Sequence, residues 1–79
     1  MIPQELKNIL TSNTQVMSGA VCFSGTRVPV QALLDTLDGG ESVRDFLGGF
    51  PDVTPQQALA VVHWEQTQAR HSFGIETVE

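Results

Sequence analysis

Seventy-nine residues with four Lys and Arg against nine Asp and Glu carry a net charge of -5 at pH 7. One domain, 1–79, is expected, and a chain this short buries only about 60% of the surface it exposes when unfolded. The acidic balance excludes a strong unaided nucleic-acid binder, whose affinity comes largely from neutralised phosphates. The single cysteine, Cys22, allows no intramolecular disulfide, and no spaced set of Cys and His offers a metal, so a thin core makes a homodimer the expected state. The N-terminus lacks a basic stretch followed by an apolar one, and no apolar run approaches the roughly 20 residues that span a bilayer. A cytoplasmic protein with no membrane contact is therefore expected.

Taken in chain order, residues 3–10 fit either a helical turn or an edge strand. Leu6, Ile9 and Leu10 make a helical stripe, while Pro3 suits either start. Val21 to Phe23 predicts a short apolar strand. Gly25-Thr26-Arg27-Val28-Pro29-Val30 marks a turn followed by a helix start. Glycine accepts positive φ, Val28 is biased away from the α region by the proline after it, and Pro29 suits a first helical turn. Residues 1–28 thus form an N-terminal extended arm with a short strand.

Val30, Leu33, Leu34 and Leu37 then share one face of a first helix that Gly39-Gly40 stops. Ser42 caps a short second helix with Val43, Phe46, Leu47 and Phe50 at the same spacing, weakened at its end by Gly48 and Gly49. Pro51-Asp52 makes a turn, and Thr54-Pro55-Gln56-Gln57 is a capping box that opens a third helix running to about His71. Residues 72–79 are a short tail. The fold class is mainly α: three helices, the last two joined by a tight turn, in the layout of a homeodomain-like helix-turn-helix or of a generic three-helix bundle.

At about 100° per residue the third helix puts Ala58, Val61, Val62 and Ala69 on its core side, with Leu59 at the margin. The opposite stripe, Gln56, Ala60, His63, Thr67, Arg70 and His71, contains no acidic residue. It reads as an ordinary solvated face or as a DNA-reading one, where Gln pairs with adenine, Arg with guanine, Thr reaches a base edge and Ala60 permits close approach. Glu65 falls on the apolar side and needs a partner, for which Arg27 or Arg44 is the candidate. Trp64 falls beside the polar stripe, which makes it a candidate for a dimer or partner interface as well as for the core.

The ordered set Gly19, Gly25-Thr26-Arg27-Val28-Pro29-Val30, Leu33-Leu34 with Leu37, Gly40 with Ser42, and Phe50-Pro51-Asp52-Val53-Thr54 resembles the family called domain of unknown function 433. The resemblance runs roughly from Ile9 to Trp64. Where the family carries a basic residue and a proline after the first glycine, this chain has Ala20 and Val21. The resemblance implies a helix-turn-helix antitoxin of a type II toxin–antitoxin pair whose toxin is a PIN-like ribonuclease.

Catalysis finds little in the chain. His63 and His71 stand about 12 Å apart along a helix at roughly 1.5 Å per residue, too far to share a metal without a third element. Cys22 beside Phe23 reads as a buried structural thiol. Ser24, Ser42 and Thr26 have turn or cap roles. No catalytic residue, metal or cofactor is expected, and Arg27 serves either a structural ion pair, the favoured reading, or a phosphate contact.

The charge distribution points to a protein partner. Between residues 28 and 53, Arg44 stands against Asp35, Asp38, Glu41, Asp45 and Asp52. These acidic residues either solvate helix surfaces or meet a basic partner. Together with Trp64 and the apolar tail residues Phe73, Ile75 and Val78, they are the candidate contacts for a toxin's positively charged cleft. The expected function is non-enzymatic: an antitoxin-like protein that neutralises the nuclease and represses its own promoter. The alternatives are a stand-alone dimeric helix-turn-helix regulator and a protein-binding adaptor that does not touch DNA.

Overall fold

In the computed structural model, which describes residues 2–13 and 20–75, a 3-10 turn (Gln4–Leu6) leads into a hairpin and three helices. The hairpin pairs β1 (Leu10–Asn13) with β2 (Ala20–Phe23). The helices are α1 (Val30–Asp38), α2 (Val43–Gly49) and α3 (Pro55–Ser72). The chain is thus mainly α, with a short two-stranded antiparallel sheet near its N-terminus. The expected motif residue Gly19 and tail residue Val78 lie outside the described residues.

Both expected forms of residues 3–10 occur in succession, a turn that buries Leu6 and then a strand that begins at Leu10. The arm before the first helix is therefore folded rather than simply extended. The register is Leu10 opposite Phe23 and Asn13 opposite Ala20, and the pairing is prolonged by the Ser24 amide, which donates to the Ile9 carbonyl at 2.8 Å. Along the other edge of β2 the Phe23 amide donates to the Val28 carbonyl at 3.0 Å, and Pro29 bridges Cys22. A proline fits there because an edge asks for no further donor. Cys22 and Phe23, flanked on both sides, are fully buried.

The corner after β2 is built by Gly25 and Thr26. Gly25 holds φ +78°, the value that the third position of a type II turn demands. The Thr26 hydroxyl donates to the Phe23 carbonyl at 2.9 Å and accepts from the Val28 amide at 3.0 Å. The helix begins at Val30, with Pro29 as its extended N-cap at φ -67°.

Each helix boundary has a local cause. α1 ends in a Schellman motif: Gly40 at φ +88° lets its amide reach the Leu37 carbonyl at 3.0 Å and the Glu41 amide reach Thr36 at 3.1 Å. α2 starts in a capping box, where the Ser42 hydroxyl accepts from the Asp45 amide at 3.1 Å and the Asp45 carboxylate accepts from the Ser42 amide at 3.0 Å. The Ser42 backbone amide first, and then the Ser42 side chain beside the carboxylate, hold the Asp45 carboxyl below its usual range. α3 starts the same way through Thr54 and Gln57, with Pro55 in its first turn.

The core joins every element. Phe23, Leu33 and Phe46 are its fully buried centre, closed by Leu6, Leu10, Val53, Ala58 and Val61. Phe46 sits between Phe23, at a ring-centroid distance of 5.9 Å, and Phe50, at 4.9 Å. Gln57 ties α3 to the corner, because its Nε2 donates to the Ser24 carbonyl at 3.0 Å while its Oε1 serves the cap.

The wheel of α3 holds only for its first half. Ala58 and Val61 are buried and Val62 is half-buried, but Ala69 is exposed and Leu59 is 53% exposed. Nothing else in the described chain reaches far enough to cover Ala69. From Glu65 to Ser72 every residue is exposed, so α3 projects roughly 12 Å beyond its last core contact.

Candidate functional site

The candidate functional residues fall on three surfaces, and the first is acidic. Asp35 and Asp38 on α1 and Glu65 on α3 line one concavity with Gln31, whose Nε2 donates to Asp35 at 2.9 Å. Glu41 in the α1–α2 connection and Asp45 on α2 add two further carboxylates, and all five are exposed. Among the described residues no group of three or more His, Cys, Asp and Glu is arranged to hold a metal.

Glu65 corrects an expectation. It is exposed and forms no pair with Arg27 or Arg44. Arg27 is exposed as well and stands beside Asp52 and Thr11 in a separate shallow depression. The favoured structural ion pair is therefore absent among the described residues, and the reason is geometric. The turn aims Arg27 outward, and the position of Glu65 lies where α3 is already leaving the core. Arg27→Ala is accordingly expected to change stability by no more than about 0.5 kcal/mol, as for other surface substitutions, with the urea midpoint as the measurement.

The second surface is an apolar groove of about 250 Å³ beside the middle of α3, walled by Ile2, Leu6, Leu10, Val30, Leu34 and Trp64. Trp64 is half-buried: it packs against the core and the N-terminal turn, and it also borders the polar stripe, as its spacing implies. Its indole N–H is buried and finds no acceptor among the described residues. The groove meets the acidic concavity at Leu34 and Glu65, which line both.

The third surface is the stripe on α3. Gln56, His63, Thr67, Arg70 and His71 are exposed, as the spacing implies, whereas Ala60 is half-buried against the core. Ala60, His63 and Thr67 border a depression shared with Glu5 from the 3-10 turn and with Trp64. A carboxylate thus stands beside the middle of the stripe and repels phosphate there. Beyond it, Arg70 and His71 sit in the last turn of α3, followed by Phe73, 76% exposed, and Ile75, 55% exposed.

The profile of the family described as protein of unknown function (DUF433) matches residues 10–64. The chain belongs to this family. The DUF433 match begins at the first residue of β1 and ends at Trp64, where the burial of α3 ends. The DUF433 unit is therefore the hairpin, the corner and the packed part of the three helices, while the projecting half of α3 lies beyond it. Neither a curated protein nor a solved structure matches the chain. No helix among the described residues is long and apolar enough to cross a membrane.

Proposed function

We propose that this DUF433 protein is the non-enzymatic, antitoxin-like member of a type II toxin–antitoxin pair, a cytoplasmic homodimer that neutralises a PIN-like ribonuclease. The observation that carries the proposal is the set of exposed carboxylates Asp35 and Asp38 on α1, Glu41 in the α1–α2 connection and Asp45 on α2 of a DUF433 fold. A nuclease that binds RNA needs a positively charged cleft, and an acidic surface on a rigid helical frame competes for it. Co-expression with the product of the adjacent gene is the test. A stable complex in which ribonuclease activity falls to background at equal stoichiometry is expected, and Glu41→Lys should release that activity. Neither complex nor inhibition would reject the proposal.

Promoter binding is the second part of the proposal, with α2, the turn at Phe50–Thr54 and α3 acting as a helix-turn-helix. The uncharged and basic stripe on α3 supports it, and the charge count limits it. A dimer carries eight Lys and Arg at four per chain. If about half face one duplex, log K should fall with log salt at a slope of roughly -3.6. Binding by the protein alone is thus weak and is strengthened when a basic toxin joins. Gln56→Ala should cost about 1 to 3 kcal/mol on the cognate site and little on random DNA, read by titration at fixed salt. Equal losses on both would reject base readout, and no binding with or without toxin would leave an adaptor.

A further inference from the structure

The tip of α3 and the groove beside its middle are complementary in polarity, and Arg70 adds a match of charge. The tip presents Arg70 and His71 and then the exposed Phe73 and Ile75. The groove presents Leu34 and Trp64 and opens directly onto Asp35, Asp38 and Glu65. An apolar element beside a basic one thus matches an apolar hollow beside an acidic one.

The tip cannot enter its own groove. α3 is continuous helix to Ser72, and its end is fixed by a second Schellman motif, in which the Ile75 amide reaches the Arg70 carbonyl at 2.7 Å and Gly74 reaches His71 at 3.1 Å. A helical end that points away from its own groove is available only to another molecule. The projecting turns are also exposed on every side, and a helical stretch this short is marginal in water without packing.

We propose that the α3 tip of each chain docks in the groove of a second copy. Phe73 and Ile75 pack on Leu34 and Trp64, and Arg70 and His71 lie against Asp35 and Asp38. Because each chain supplies one tip and one groove, a two-fold axis closes the contact into a dimer with two equivalent interfaces. The inference rests on the homodimer stated above and divides the acidic surface. Asp35, Asp38 and Glu65 go to the second copy, while Glu41 and Asp45 remain for the toxin.

The test is sedimentation equilibrium of the full chain, with the emission of Trp64, the chain's one tryptophan, followed on dilution. Phe73 and Arg70 are exposed, so their variants keep the monomer fold, which far-UV circular dichroism verifies. Phe73→Asp is expected to raise the dimer dissociation constant at least about 30-fold. Arg70→Glu should raise it about 5-fold, and adding Asp38→Arg should restore it. Trp64 emission should shift to the red as the wild type dissociates. A wild-type dimer that both single variants leave equally tight would overturn the docking and keep the homodimer. A wild type that is monomeric at tens of micromolar overturns both.

Discussion

Phe46→Ala is expected to cost about 3 to 5 kcal/mol, the usual range for deleting a buried aromatic ring. The ring is 1% exposed and lies between Phe23 and Phe50, so its removal leaves a hole where α2 meets β2 and the turn before α3. At roughly 0.05 to 0.15 kcal/mol per residue, a domain this size has about 4 to 12 kcal/mol in total. One truncation therefore takes between about a quarter of the stability and all of it. Urea melts at fixed protein concentration, which also holds any dimer linkage constant, should show the midpoint lowered by that loss. Phe46→Leu, which conserves most of the volume, should cost much less. A loss under 1 kcal/mol for the alanine variant would show that the core is centred elsewhere.

The next largest effect is expected at Gln57, a half-buried residue with three hydrogen bonds. Gln57→Ala removes the carboxamide that accepts from Thr54 and also the bond to the Ser24 carbonyl, for about 2 kcal/mol together. Gln57→Glu separates the two. Glutamate still accepts from the Thr54 amide, and its charge is favoured at a helix N-terminus by a few tenths of a kcal/mol. A helix cap alone would thus make the glutamate variant as stable as wild type or more so. The Ser24 bond reverses that expectation, because a carboxylate has no proton to donate and would face a carbonyl oxygen. A loss of at least about 1 kcal/mol in Gln57→Glu is therefore the mark of the tether, and an unchanged melt would reduce Gln57 to a cap.

The helices were legible because their ends are written in local chemistry. Ser42 and Thr54 accept from amides three residues on, Pro55 suits a first turn, and Gly40 supplies the left-handed stop that closes α1. β1 was not legible as a strand. Leu10-Thr11-Ser12-Asn13 has no alternating apolar pattern, and its pairing is imposed by Phe23 and Ser24 across the hairpin. The errors on α3 share one origin, since a helical wheel assumes equal cover along the whole helix. Ala69 has no cover, and Glu65 lies outside the core although its angle points inward. Of the candidate surfaces, the exposed acidic residues and most of the α3 stripe could be read from spacing. The groove could not, because it is assembled from the N-terminal turn, both strands, α1 and α3.

The uneven cover of α3 makes a single helix into two units of different local stability. Amides from Ala58 to Trp64 are locked by the core and by Gln57 at the helix start, so their exchange with solvent deuterium requires opening of much of the domain. Those of the uncovered turns need only local fraying. Protection should therefore drop sharply between Trp64 and Gln68 in a dilute monomer, although the backbone geometry is the same on both sides of the step. Whatever molecule covers the outer turns would write its footprint as slowed exchange there, without altering the chain's fold.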